Sequence, residues 1–124
     1  MNFQCTSAFV TLAAVDFNKL VLFYSQLLTI QPQLYIPNRY AEFQLPSLRL
    51  GIFQPKQTHQ VEFRHGKSAI SVCLEVADIG HAIAHLTNLG YPPPGEILTA
   101  SHGKEIYAYD PEGNRLIVHQ STSF

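Results

Sequence analysis

Imidazoles and carboxylates are the side chains here with the most chemistry to offer, with six histidines among 124 residues. His119 ends the run R-L-I-V-H, in which apolar and polar residues alternate. A strand points successive side chains to opposite faces, so Leu116 and Val118 share one face and Arg115, Ile117 and His119 the other. The same rule sets Ser71, Cys73 and Glu75 apart from Val72 and Leu74. A neutral imidazole near a carboxylate accepts a proton around pH 7, which makes Glu75 and His119 the candidate catalytic pair. Both are metal ligands by type, but a divalent ion needs about three, so Cys73, a loop histidine or another subunit has to supply the third. Cys73 has no helix N-terminus or base beside it and reads as a small buried hydrophobe rather than a nucleophile. His81 and His85 share a helix face at i and i+4, yet H-A-I-A-H lacks the glutamate of the zinc-protease motif and reads as a solvated face. His59 and His65 fall in a polar connection, and His102 stands before Gly103.

The elements that position these residues recur in the same order twice. Ser7 to Val15 is β-rich. Asp16 then caps a helix with Phe17, Leu20, Val21, Phe23, Tyr24, Leu27 and Leu28 at helical spacing, and Pro32 closes it. Three short β-like runs follow, Gln33 to Ile36, Tyr40 to Leu45 and Leu48 to Phe53. Residues 54 to 67 are polar and without period, as an exposed connection would be. Ala69 to Val76 begins the second round. Asp78 caps a helix carrying Ile79, Ala82, Ile83, Leu86 and Leu89 on one face, and Gly90 ends it. Three prolines in a row forbid further helix, and Glu96 to Ala100, Glu105 to Tyr109 and Arg115 to Gln120 supply three strands. Before the last of these, D-P-E-G-N encodes a reversal, with Pro111 fixing one corner and Gly113 or Asn114 able to take positive φ. The reading is α+β: two tandem βαβββ modules, about 6–54 and 69–121, in one domain of residues 1–124.

Charge and composition narrow the function classes. A net charge of −1 with scattered Lys and Arg gives no basic stripe, so nucleic acid is not an expected partner. The apolar stretch Phe9 to Val15 lacks a basic flank and is far too short to span a bilayer. Cys5 and Cys73 form no CxxC pair and no signal peptide precedes them, so a cytoplasmic protein with reduced thiols is expected.

Asp16 and Phe17 with Phe23 and Tyr24, V-A-D before the second helix, His102-Gly103 and D-P-E-G-N-R-L-I together resemble the vicinal oxygen chelate superfamily. That superfamily includes glyoxalase I, extradiol dioxygenases, fosfomycin-resistance enzymes and bleomycin-resistance proteins. The resemblance covers nearly the whole chain and implies cupped mixed sheets with helices on the outer face. It also implies up to four His or Glu metal ligands on the inner face, at positions that fall here on Phe9, Gly51, Ser71 and Ile117. None of these four is a plausible ligand for a divalent ion, so no metal and no other cofactor is expected, and a divalent metal is the runner-up. His119 keeps the inward orientation roughly 7 Å further along its strand. Many members are homodimers, which implies a homodimer here, with the groove formed within one chain or between two.

The inner face then carries Phe9, Thr11, Arg49, Phe53, Ser71, Cys73, Arg115 and His119. Tyr107 and Tyr109 stand at its mouth or in ordinary cross-strand pairs, and His102 at its rim. Apolar walls dotted with polar groups suit a small-molecule pocket. Arg49 and Arg115 offer paired donors to an anionic or carboxylate-bearing ligand, or pair with Glu75 across the groove. Two function classes stay open. One is a ligand-sequestering module similar to the bleomycin-resistance proteins, favoured by loss of all four standard ligands. The other is a lyase, isomerase or dioxygenase with relocated metal ligands. A third possibility is a groove filled by its own side chains, Phe9 and Phe53 among them, in a domain that serves a partner protein.

Overall fold

The computed structural model describes residues 3–64 and 68–122; His65 lies outside them. The chain divides into two compact units, residues 1–64 and 65–124. The first holds β1 (Val10–Ala13), α1 (Phe17–Leu28), β2 (Leu34–Ile36), β3 (Tyr40–Gln44) and β4 (Arg49–Phe53). The second holds β5 (Val72–Glu75), α2 (Ile79–Asn88), β6 (Leu98–Ala100), β7 (Gly103–Tyr109) and β8 (Arg115–Ser121). Each unit is thus a βαβββ module. The sheets run β1-β4-β3-β2 and β5-β8-β7-β6, with β1/β4 and β5/β8 parallel and the other pairs antiparallel.

Local chemistry explains the boundaries. The Asp16 and Asp78 carboxylates accept from the backbone N–H of Lys19 and His81, each satisfying a donor that the first helical turn leaves open. Thr29 in the left-handed region ends α1 at φ 56°, and Gly90 follows α2 at φ 95°. The apolar stripe of α1 buries Phe17, Leu20, Val21, Phe23 and Tyr24. Ala41, Phe43, Leu50 and Ile52 from β3 and β4 complete that core. In the second unit, Ile79 and Leu86 of α2 join Val72, Ile106, Ala108, Leu116 and Val118. Burial of such faces is the main stabilising term in each unit.

The D-P-E-G-N turn folds as encoded. Asp110 is 4% exposed. Its carboxylate accepts from the backbone N–H of Glu112 and Asn114 and from the Asn114 amide, at 2.8 to 3.0 Å. Gly113 takes φ 85°. This turn fixes the hairpin register, pairing Tyr109 with Arg115, Tyr107 with Ile117 and Glu105 with His119.

Three details depart from the sequence reading. The strand expected from Ala69 starts at Val72, which leaves Ile70 75% exposed rather than packed on a helix. The first strand is confined to Val10–Ala13. The connection is also not featureless, since Gln57–Phe63 forms a 3₁₀ helix. From it the Phe63 ring meets Phe53 edge-on, with centroids 5.1 Å apart.

Candidate functional site

Strand register assembles a lattice of side chains on the face of the second sheet opposite Leu116 and Val118. Glu75, His119 and Glu105 occupy neighbouring positions on β5, β8 and β7. Cys73, Ile117 and Tyr107 form the next row. At the far end Arg115 stands beside Tyr109. Its guanidinium donates to the Ser71 hydroxyl at 2.9 Å and to the Ser68 carbonyl at 2.6 Å.

The first row is wired together. Glu75 Oε1 lies 2.7 Å from His119 Nδ1. The other carboxylate oxygen accepts from the Ser121 backbone N–H at 2.8 Å and from its hydroxyl at 2.7 Å. These bonds, led by that of the Ser121 hydroxyl and followed by that of His119, hold the Glu75 carboxyl below its ordinary range. A carboxylate accepting at Nδ1 keeps the ring proton there and leaves the Nε2 lone pair of His119 free to accept. His102 Nδ1 sits 3.0 Å from that Nε2, the two rings stacked at 22° with centroids 5.1 Å apart. His102 lies in the turn from β6 to β7, beside Gly103 at φ 141°. A Cβ on Gly103 would run into the Gln120 carbonyl, so glycine there is what lets the turn close on β8.

His102, Glu105 and His119 each offer a ligand atom, and these atoms lie within 4.8 Å of one another. Alternation on β8 points to His119, but Glu105 and the role of His102 were missed. The signal for Glu105 was present: counting outward from the Asp110 turn pairs it with His119. His102 had none, because a two-residue turn carries no period.

The positions expected to hold the metal of the resembled superfamily do not fit one. Gly51 has no ligand atom, and the space above it is filled. A Cβ at Gly51 would lie 2.7 Å from the Tyr40 hydroxyl. That hydroxyl donates to Glu42 at 2.7 Å. Burial, the bond to Glu42 and its negative charge push the Tyr40 phenol up to about 12, against a smaller opposing pull from Arg49. Phe9 and Ile117 are hydrocarbon, and the Ser71 hydroxyl accepts from Arg115.

Other expected site residues are also engaged. Arg49 lies over the Phe9 ring, 4.2 Å from its centroid, donates to the Ser7 hydroxyl at 2.9 Å, and brings Nε to 3.6 Å from Glu42. Arg49, Arg115 and Glu75 therefore take separate partners. Phe53 is half-buried against Phe63, and Thr11 is exposed in register with Gly51. Cys73 is exposed rather than buried, and Cys5 and Cys73 are both free thiols. Partial desolvation, then Glu75 and Glu105, push the Cys73 thiol up, which disfavours the thiolate. His81 is exposed on its helix, 3.7 Å from Asp78. Among the described residues no helix is long and apolar enough to cross a membrane.

No family model matches the sequence, and no curated protein matches it. Solved structures do match. A glyoxalase/bleomycin resistance protein from Catenulispora acidiphila is 20% identical with a TM-score of 0.68, over 93% of this chain and 97% of that one. Lactoylglutathione lyase from Agrobacterium tumefaciens is 19% identical, TM-score 0.69, over 94% of both chains. The fosfomycin resistance protein FosX from Listeria monocytogenes is 16% identical, TM-score 0.73, over 97% of this chain and 95% of that one. A FosX variant was solved with manganese(II) bound. The repeated βαβββ order, the two four-stranded sheets and these likenesses give one conclusion: the chain has the vicinal oxygen chelate fold of the glyoxalase, bleomycin-resistance and FosX proteins.

Proposed function

We propose that this chain is a small-molecule-binding protein of the glyoxalase/bleomycin-resistance type, holding an apolar, acid-bearing ligand on the sheet face of its second module without the standard metal. The observation that carries this reading is the Tyr40 phenol seated over Gly51. It fills with a neutral, hydrogen-bonded group a position that an imidazole or carboxylate would need. The second module supports the rest. Tyr107 and Tyr109 are 40% and 38% exposed. With Ile117 they offer apolar surface, and among the described residues Arg115 gives two of its five N–H donors to Ser71 and Ser68.

A thermal-shift and NMR screen of small aromatic and alkyl carboxylates tests this. A binding carboxylate is expected to perturb Tyr107 and Ile117 signals. Its affinity should fall about tenfold in Arg115→Met, the size of one lost charge-assisted hydrogen bond, while its neutral amide analogue binds both forms alike. Carboxylate binding that ignores both Arg115→Met and Tyr107→Ala, or none at millimolar ligand, overturns the reading.

A further inference from the structure

We propose that His102, Glu105 and His119 form a site for a zinc-class divalent transition-metal ion, one that owes nothing to the standard positions of this fold. Three separate constraints bring the donors together. His119 is fixed on β8, Glu105 is its cross-strand partner on β7, and His102 is delivered by the turn that Gly103 closes.

His119 is already oriented for a cation. Glu75 accepts from the Nδ1–H of His119 and is itself clamped by Ser121, so Nε2 presents its lone pair to the cluster. A carboxylate behind a ligating histidine is the usual way of fixing tautomer and ring plane in metal sites. Nε2 of His119 and Nδ1 of His102 stand 3.0 Å apart. Tetrahedral zinc with bonds of about 2.0–2.1 Å spaces its donors about 3.3–3.4 Å apart, so the rings need to part by only about 0.4 Å. The ion takes the place of the one proton that a hydrogen bond between these nitrogens requires, and His102 then carries its ring proton on Nε2. Glu105 closes the third side from within 4.8 Å.

Donor type selects the ion. Calcium and magnesium favour all-oxygen shells, whereas two imidazoles with one carboxylate suit zinc, and cobalt or nickel in its place. The charges of Glu105 and Glu75 balance the two positive charges of the ion. His102 is exposed and the other two are half-buried, so a fourth position is open to water or to an oxygen of a bound ligand.

The test uses the untagged full chain, stripped with chelator and titrated with Zn²⁺ by calorimetry and with Co²⁺ by its visible absorption. One saturable equivalent is expected, with a tetrahedral cobalt spectrum. His102→Ala and Glu105→Gln should each weaken binding by more than tenfold with an unchanged far-UV spectrum. Glu75→Gln, which touches no metal, should weaken it about 10- to 100-fold, while His81→Ala leaves it unchanged. Absence of saturable binding overturns the proposal. So does binding that survives both His102→Ala and Glu105→Gln, or that disappears with His81→Ala. No organic ligand enters this experiment, so its outcome is separate from that of the carboxylate screen.

Discussion

At the scale of single residues, the two modules use the same face differently. Around Gly51 the first module satisfies itself: Tyr40 donates to Glu42, and Glu42 also accepts from the Gln33 amide at 3.1 Å. Tyr40→Phe leaves the shape and removes one bond to a carboxylate, for an expected loss of about 1 kcal/mol by urea denaturation. The pH dependence follows from the direction of the shift. The folded state holds the Tyr40 proton more tightly than the unfolded chain, so its contribution is complete below pH 10 and disappears as pH rises towards about 12. In difference titration of tyrosine absorbance, the step near 12 should vanish in Tyr40→Phe. If that step remains, the assignment to Tyr40 is wrong. His119 and Glu75 were legible from period-two alternation alone. Glu105 was less legible because it shares its face with Tyr107 and Tyr109, which give β7 the pattern of an ordinary aromatic strand, although the register that places it was already encoded at Asp110.

At the scale of elements, caps and turns set the boundaries while periodicity sets the type. Both aspartate caps were readable because a short side-chain oxygen before an apolar 3.6-residue period has one obvious use. Asp16→Ala should cost about 1 kcal/mol, measured by thermal or chemical unfolding. Gly103→Ala is expected to be worse, at about 1–3 kcal/mol, since it combines a φ of 141° with a Cβ aimed at the Gln120 carbonyl. A Gly103→Ala protein as stable as the parent would mean that the turn closes differently. The 3₁₀ helix Gln57–Phe63 could not be read from sequence. It buries none of its residues, so it leaves no apolar period, and its ring contact from Phe63 reaches back to Phe53.

At the scale of the molecule, the order of elements was legible because each βαβββ module repeats the same punctuation, and likeness to structures at 14 to 21% identity rests on that order rather than on residue identity. Assembly was not legible. The edge strand β2 leaves Leu34, Tyr35 and Ile36 each more than 40% exposed, an apolar edge of the kind that pairing between copies covers. We expect a homodimer, with light scattering giving twice the 13.9 kDa chain mass. A monomer at tens of micromolar protein would remove that expectation.

The seat of Tyr40 on Gly51 also limits what can be built at that position. Any side chain gained at position 51 meets the phenol and comes within 3.2 Å of Thr11 as well. A histidine or glutamate placed there alone would have to displace Tyr40, and Glu42 would lose one of its donors, keeping the Gln33 amide. A ligand at position 51 therefore needs a second substitution, at position 40, to make room for it.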